Sequence, residues 1–582
     1  MFRKNEYRQK SLLFGPEMIL SGRLLSQLQR SWAAIFRTEV FERIDEGLFS
    51  PLYSEQASRP NAPVNVLMGF EIIKAGQGWS DEELYEALSF DMRLRYALGI
   101  EDMVSELPFT LRTLYNFRAR VQKYAREEGG NLYQKVFEQV TDEHLEAYRV
   151  SAHLQRMDST QVLSNVAQTN RLTLLISVLQ VGVKGLTAEE QALWQEKAGF
   201  YLRKRAHEIV FGIRKKEMPA HFQKLGQLLR ELQEALPPDE GEDEMVKRVL
   251  KEQYKEGDDG EWGLREAEEI SADSLQSPYD MEATYRKKNG KAYAGGYVVN
   301  VSETSASENE LQLITDIQVA PNVTDDSELL QQSVSNQMER GHAIKEVTTD
   351  GGYTGPETSA FCTAHDITHR PTNVRGGKSA SEKLGWEAYT WDLETMTEVC
   401  PQGQQGTILP ARKSDRWVVH FLDEVQCQTC PLLKQCRVQL QKRNGPTLRV
   451  TTRNIEVALI RQGLRPEDRS LRTVVEGTVR SLKWHLRKDK LPVRGQTSAL
   501  MYFSAVAVMV NLRRIHAYMS KITSKYDPTS GILFTFLWLL ANLKLRERSQ
   551  RRFEAFSETD HLLTFVFPST SFLPARLLND AA

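Results

Sequence analysis

The chain has 582 residues, 41% of them apolar and 26% charged, with a formal net charge of −2. That length exceeds what a single hydrophobic core serves, so about two to four domains are expected, and a near-neutral total argues neither for nor against a polyanionic partner. Five cysteines in so long a chain exclude the dense disulfide framework of a small secreted domain.

The total hides an asymmetry: residues 239–273 carry fourteen Asp/Glu against five Lys/Arg, and residues 449–494 carry twelve Lys/Arg against five Asp/Glu. Local field, rather than net charge, steers a charged ligand. The opening stretch, Met1 to Arg8, is polar and charged with no long apolar run behind it. An export signal is therefore not expected, and a cytoplasmic location is.

Residues 1 to about 145 read as mainly helical. Ser80 followed by Glu83 is a capping-box pattern, with Leu84 and Leu88 one turn apart behind it. A second helix is predicted from Thr110, with Leu111, Leu114, Phe117 and Val121 inward and Arg112, Thr113, Asn116 and Arg120 outward. Two helices joined by a short turn, with a basic and amide-bearing outer face, suit a DNA major groove. The same residues equally fit an ordinary solvated helix.

From Arg149 to Thr160 the spacing of Val150, Ala152, Leu154 and Met157 predicts a strand that delivers Asp158 at its end. Residues 161 to about 275 read as a long helical interruption that closes in a solvated acidic linker. Strands are predicted at Ala294–Val301 and Leu311–Val319, a helix from about Asp325 to Arg340, and a strand from Ile344 to Thr349 that stops at Asp350. This order of elements matches a mixed sheet flanked by helices.

Further along, Cys400, Cys427, Cys430 and Cys436 combine one CxxC pair with two outlying thiols, which fits a four-cysteine zinc site as well as four reduced, partly buried thiols. Cys362 reads as a small core residue. Trp386, Trp391 and Trp417 are expected to pack rather than to stack on a base. After Pro466, Val475, Val479, Leu482 and Leu486 recur at helical spacing, with Arg472, Glu476, Arg480 and Lys483 on an adjacent polar face. Taken alone, that polar face is most simply a helix laced by ion pairs. The apolar runs Ala505–Leu512 and Gly531–Leu543 are too short to cross a bilayer, so buried helices and no membrane partner are expected. His153 and His485 have none of the partners of a catalytic triad, and no phosphate-cradling P-loop occurs.

Phosphodiester chemistry needs an activated oxygen nucleophile and a stabilised leaving oxygen, and two divalent cations held by carboxylates supply both. Asp158, Asp350 and Glu476 are the candidate ligands. On Arg472, Glu476 and Lys483 the chain resembles bacterial insertion-sequence transposases of the DDE type. These carry a Y-(2)-R-(3)-E-(6)-K pattern whose last three positions match in residue type and spacing, while Arg469 stands at the tyrosine position. The family's first two acids would be Asp158, within Met157-Asp158-Ser159-Thr160, and Asp350, within Thr349-Asp350-Gly351-Gly352-Tyr353. The segment from about Phe14 to Arg120 also resembles the helical region that precedes the catalytic core in these enzymes.

The resemblance implies an α/β catalytic core with an RNase H-like mixed sheet flanked by helices. A helical N-terminal domain, a helical insert and a small cysteine-rich insert would accompany it. The boundaries read as 1–145 for the helical DNA-binding domain and 146–520 for the catalytic domain, interrupted by 161–275 and by 395–440, with a helical extension over 521–582. The implied activity is metal-dependent cleavage at transposon inverted-repeat ends, followed by attack of the freed 3′-hydroxyl on target DNA. Asp158, Asp350 and Glu476 would hold two Mg2+ or Mn2+ ions. Arg472, Arg480 and Lys483 would contact DNA near the scissile phosphate, and Arg112, Asn116 and Arg120 would contact it from the N-terminal region. Double-stranded DNA is the implied partner, with nucleoid association when bound, and a homodimer is expected because two ends must be handled together. Two alternatives stay open: a nuclease of the same fold that does not join strands, and a non-catalytic DNA-binding descendant.

Overall fold

The computed structural model describes residues 1–525, apart from 6–14, 55, 57–59, 101, 103–105, 168, 239–240, 257–261, 289, 373–382, 394, 412–415, 422, 442–444 and 464–467. The chain divides into two compact units, Met1–His516 and Ala517–Ala582. Most of the second unit, including the apolar run Gly531–Leu543 and nearly all of the expected extension over 521–582, lies outside the described residues.

The N-terminal region is helical, and local signals set its helix ends. Ser80 and Glu83 form a reciprocal capping box on Asp81–Phe90, and Thr110 caps Leu111–Glu128 by accepting from the Thr113 amide. Leu114, Phe117 and Val121 are buried, whereas Arg112, Asn116 and Arg120 are exposed. The two helices are not joined by a short turn, however. The helix Met92–Ala97 and residues 98–110 separate them, because Asp91 caps a new helix where a turn was expected.

The central sheet is built from β1 (Leu154–Leu163), β4 (Thr284–Lys288), β5 (Lys291–Thr304), β6 (Ile314–Pro321), β7 (Glu346–Thr349) and β8 (Thr368–Pro371). The short hairpin of β2 (Tyr254–Glu256) and β3 (Trp262–Leu264) stands apart from it. β5 pairs antiparallel with β1 along one edge, and with β4 and then β6 end to end along the other. β7 and β8 continue the sheet parallel to β1. The path β6-β5-β1-β7-β8, with helices against it, is broadly RNase H-like.

β1 departs from expectation in one respect that matters. Asp158 sits in the middle of the strand rather than at its end, because β5 pairs with all of Gln155 to Leu163 and carries the polar run Ser159-Thr160-Gln161 onward in extended form. β4 was also not anticipated. Between β1 and β4 the insert forms five α-helices among its described residues, spanning Arg171 to Gln253, around its own core of Leu175, Leu179, Leu229, Leu232 and Val246. Part of the acidic run is therefore helix rather than linker: Gly241–Gln253 is helical and buries Asp243.

The expected small cysteine-rich insert is instead a second six-stranded antiparallel sheet, in the order β13-β14-β12-β11-β10-β9. Its strands are β9 (Thr390–Asp392), β10 (Thr397–Val399), β11 (Gln405–Pro410), β12 (Arg416–Phe421), β13 (Gln439–Gln441) and β14 (Gly445–Thr451). Tyr389, Trp391, Ile408, Val419, Leu448 and Val450 fill its core, and Ile455 and Ala458 of the following helix Thr452–Gly463 close it. Trp386, Trp391 and Trp417 all belong to this core or its margin, which accords with a packing role.

The run Ala505–Leu512 is the middle of one helix, Gln496–Lys525. Asn511 on that helix accepts from the Ile314 amide at 2.8 Å and donates to its carbonyl at 2.9 Å, which satisfies the start of β6. Phe70, Leu114 and Phe137 of the N-terminal helices, Val299, Val301 and Ile317 of the sheet, and Phe503 and Val506 of the long helix share one core. No helix among the described residues is long and apolar enough to cross a membrane.

Glu398 on β10 is fully buried, and among the described residues neither carboxyl oxygen has a hydrogen-bond partner. Burial pushes its pKa from the ordinary 4.5 up to about 8. The unfolded chain ionises this group freely between those values and the folded chain does not, so stability falls as pH rises from 4.5 to 8. Glu398→Gln mimics the neutral form and should remove that slope. The variant is expected to match the parent near pH 4.5 and to exceed it at pH 8 by about 2–4 kcal/mol, read from urea midpoints across the range. A parallel pH profile for the two proteins would contradict this.

Candidate active site

The central sheet sets the strand that carries Asp158 beside the strand that leads to Asp350. β1 and β7 pair as Leu154 with Glu346, Gln155 with Val347 and Arg156 with Thr348. The pairing ends there, two residues before Asp158 on β1, and β7 itself ends at Thr349, so Asp350 stands just past the strand that runs beside β1. By strand alternation Asp158 lies on the side of β1 shared by Arg156 and Thr160, and Asp350 follows directly on the last residue of β7. Asp158 accepts from the Ser159 amide at 2.8 Å, and Asp350 caps the turn Gly351–Tyr353 by accepting from the Gly352 amide at 2.6 Å. Both are half-buried. Burial pushes the Tyr353 hydroxyl pKa well up, and the nearby charges of Asp326, Asp158 and Asp350 push it further, so this tyrosine feels both acids.

The third acid rides on the helix that covers this face. Asp468–Leu482 packs on β1 and β7, and its Val475 and Leu482 enter the core beside Val299 and Val301, the cross-strand partners of Thr160 and Asp158. Thr478 is buried, whereas Glu476 and Arg480 are exposed. The side chain of Arg472, in the first turns, lies outside the described residues, as does that of Arg469. Lys483 follows the last helical residue and turns back to the sheet, donating to Thr160 Oγ1 at 3.2 Å and to the Gln161 carbonyl at 3.1 Å. It also pairs with Asp489 at 2.6 Å. Burial opposes ionisation of Asp489, yet hydrogen bonds from Lys291 and Lys483 hold its carboxyl below the usual range. Asp489 and Lys488 both adopt positive φ, of 62° and 56°, a conformation that costs roughly 1–2 kcal/mol per residue outside glycine.

Among the described residues, no group of three or more His, Cys, Asp or Glu side chains stands close enough to hold a metal ion. The three acids are oxygen donors of the kind Mg2+ prefers, one within β1, one just past the end of β7 and one on the helix that packs on both strands. They do not form a finished coordination shell.

Beneath the site is a polar cluster that lies outside the sequence-based expectations. Glu303 on β5 is fully buried, and Arg156, its cross-strand neighbour, pairs with it at 2.7 Å. Its other oxygen accepts from Thr478 at 2.7 Å and pairs with Arg514 at 2.7 Å, and Arg514 also donates to Thr478. One carboxylate thereby ties β1, β5, the Glu476 helix and the long helix together. The available signal was Arg156 itself, since a charged residue inside a strand needs a buried partner.

A cavity of about 730 Å³ opens between the N-terminal helices and the turn after Lys483. Lys74, Trp79, Arg487, Lys488, Lys490 and Tyr502 are among its lining residues. On the N-terminal helix Leu111–Glu128, Arg118 is engaged with Glu71 and Asp81, and Arg120 lies over the Tyr53 ring. His485 contacts the Gly76 carbonyl at 2.9 Å, and His153 faces Glu308 at 3.5 Å, each remote in role from the acids. Cys362 is buried, and burial pushes its thiol up to about 11. Cys400, Cys427, Cys430 and Cys436 line one small cavity in the second sheet's module. Burial, and then the neighbouring thiols of Cys400, Cys436 and Cys430, push the Cys427 thiol up to about 11.

A family model described as "Transposase DDE domain" matches residues 399–516, which include Glu476, and one described as "Transposase domain (DUF772)" matches residues 26–120. No curated protein and no solved structure matches the chain. The chain carries a DDE-type transposase domain and, ahead of it, a second transposase domain.

Removing the carboxylate of Glu303 strands the buried Arg156 and leaves the half-buried Arg514 without its carboxylate partner. Glu303→Ala should therefore destabilise the protein by about 3–5 kcal/mol, measured as a lower urea midpoint at unchanged slope. A loss below about 1 kcal/mol would place the cluster among weak surface-type pairs.

Proposed function

We propose that this protein is a DNA transposase that cuts at the inverted-repeat ends of a mobile element and joins the freed 3′-hydroxyl to target DNA. Asp158, Asp350 and Glu476 are its three catalytic carboxylates. The observation that supports this reading is the parallel pairing of β1, which carries Asp158, with β7, which leads into Asp350, under the helix that bears Glu476.

In this scheme the three acids hold Mg2+ or Mn2+, whose chemistry when bound is to activate the attacking oxygen and neutralise charge on the leaving oxygen. The protein contributes position. The Glu303 cluster holds the Glu476 helix against β1 and β5, and Lys483 holds its end to Thr160, two residues past Asp158. Asp350 is fixed by the Gly352 amide, which limits where its second oxygen can point. Glu476 is exposed on the helix. Arg480 is exposed on the same helix, and with Arg472 it provides charge for phosphate. The cations Arg487, Lys488 and Lys490 beside the large cavity extend a surface suited to a polyanion. Arg112, Asn116 and Arg120, exposed on the N-terminal helix, are proposed to hold the transposon end, with two copies of the chain bringing two ends together.

Asp158→Asn, Asp350→Asn and Glu476→Gln should each lose several kcal/mol of charge stabilisation, about 10³-fold in cleavage rate, while still binding end DNA. The assay supplies paired inverted-repeat ends, a target duplex and Mg2+, and resolves nicked, cut and joined products. Normal cutting by any one variant would remove that residue from the site. Cut product without joined product in the parent protein would leave a nuclease, and a shifted complex without either would leave a DNA-binding protein only.

The N-terminal contacts have a separate signature. If Arg112 neutralises a phosphate, Arg112→Ala should weaken binding to all sequences alike and lower the slope of log affinity against log salt by about 1. An unchanged slope would take this helix face out of the DNA interface.

A further inference from the structure

Cys400 lies 27 residues before Cys427 in the sequence, yet it lines a single cavity of about 30 Å³ with Cys427, Cys430 and Cys436. Three separate pieces of backbone deliver them. Cys400 opens a tight turn after β10, closed by bonds from the Gly403 amide to its carbonyl at 2.8 Å and from its own amide to the Gln404 carbonyl at 2.9 Å. Gly403 sits there at a φ of +81°, which a side chain rarely adopts. The same turn aims the Gln404 amide at the Cys400 sulfur, 3.3 Å away, a contact that favours a charged acceptor. Cys427 lies on the short helix Glu424–Gln428, which Asp423 caps, and Cys430 follows one turn later. Cys436 is placed by the bond from its amide to the Leu432 carbonyl at 2.7 Å. All four are free thiols.

We propose that Cys400, Cys427, Cys430 and Cys436 form a structural zinc site. Four thiolates are the tetrahedral donor set that Zn2+ shares with iron–sulfur centres. A cavity of about 30 Å³ has room for one ion and not for a cluster with its own sulfides. The sulfurs are not yet at metal-holding distance, so binding must draw them in to about 2.3 Å from the ion. Three of the four stand in turns or loops outside the strands, where such a movement breaks no sheet pairing. Binding releases the thiol protons, and the bond from Cys427 to the Gln404 side-chain oxygen is given up. The module has a reason to need the ion. Its two-layer core holds nine buried apolar side chains under six short strands, and a core that small gains from a cross-link among its loops.

The test uses the full chain, purified from cells without added zinc and analysed by inductively coupled plasma mass spectrometry. About one zinc per chain is expected, with a roughly ten-fold loss in Cys427→Ser or Cys430→Ser and none in Cys362→Ser. Where a cysteine variant does not fold, the parent protein decides. Titration of its thiols with an organomercurial should release zinc to a chromogenic chelator, and cobalt in its place should show the visible absorption of tetrahedral thiolate coordination. Soluble parent protein with less than about a tenth of an equivalent of zinc and no such cobalt spectrum would overturn the proposal. So would a disulfide between any two of the four residues in the protein as purified.

Discussion

The arrangement of the candidate active site depends on one buried carboxylate. Glu303 lies inside the protein with Arg156, Arg514 and Thr478 all directed at it. Desolvating an ion costs several kcal/mol, and only full pairing offsets that. Glu303 meets that condition by drawing its partners from a neighbouring strand and two helices, and this is why the cluster acts as a joint rather than a local contact. A helix packed on a sheet by Val475 and Leu482 alone could slide by a fraction of a turn at little cost, because apolar contact has no direction. Thr478, one turn from Val475 and two residues from Glu476, has a direction. Its hydroxyl must reach Glu303, and that fixes which side of the helix faces Asp158.

The sequence made the components of this site legible more readily than their convergence. Val475, Val479 and Leu482 mark their helix by period alone, and Ile344 to Thr349 marks a strand that ends before Asp350. Both signals are local. What sets β1, which carries Asp158, beside β7, which leads to Asp350, is a register between strands separated by the helical insert, three further strands and a helix, and no spacing along the chain encodes such a register. Asp158 itself was misplaced by half a strand, because Ser159, Thr160 and Gln161 look like the start of a loop. They stay extended since β5 pairs with them, and Ser159 finds Asp326 at 2.9 Å. Tertiary pairing overrode local preference there.

The second sheet was hidden for a different reason. Its strands are three to seven residues long, and several alternate weakly between buried and exposed positions. Cysteine spacing drew attention to the same stretch as a loop-rich insert, and the strands behind the loops went unseen. The helical insert, by contrast, was legible as helix because leucines recur through it. Its acidic end misleads, since charge density suggests solvation, while Gly241–Gln253 turns Met245, Val246, Val249 and Leu250 inward together with Asp243, and of its acids Glu244 alone is exposed.

The spacing of Arg472, Glu476 and Lys483 acquires a physical meaning from this geometry. Seven residues are two helical turns, so Glu476 and Lys483 leave the helix on one side. Lys483 comes one residue after the helix ends, and its ammonium reaches Thr160 and the Gln161 carbonyl on β1 and Asp489 beyond the turn. An ammonium with three donors suits this junction, since it meets a hydroxyl, a carbonyl and a carboxylate lying in different directions. In this arrangement the lysine locks the end of the helix to the strand two residues from Asp158. A shorter interval would leave Lys483 inside the helix, and a longer one would let the turn at Lys488 and Asp489 swing free of the sheet. The interval between glutamate and lysine therefore sets how closely the third acid can approach the first two, and that is a constraint on position before it is one on DNA contact.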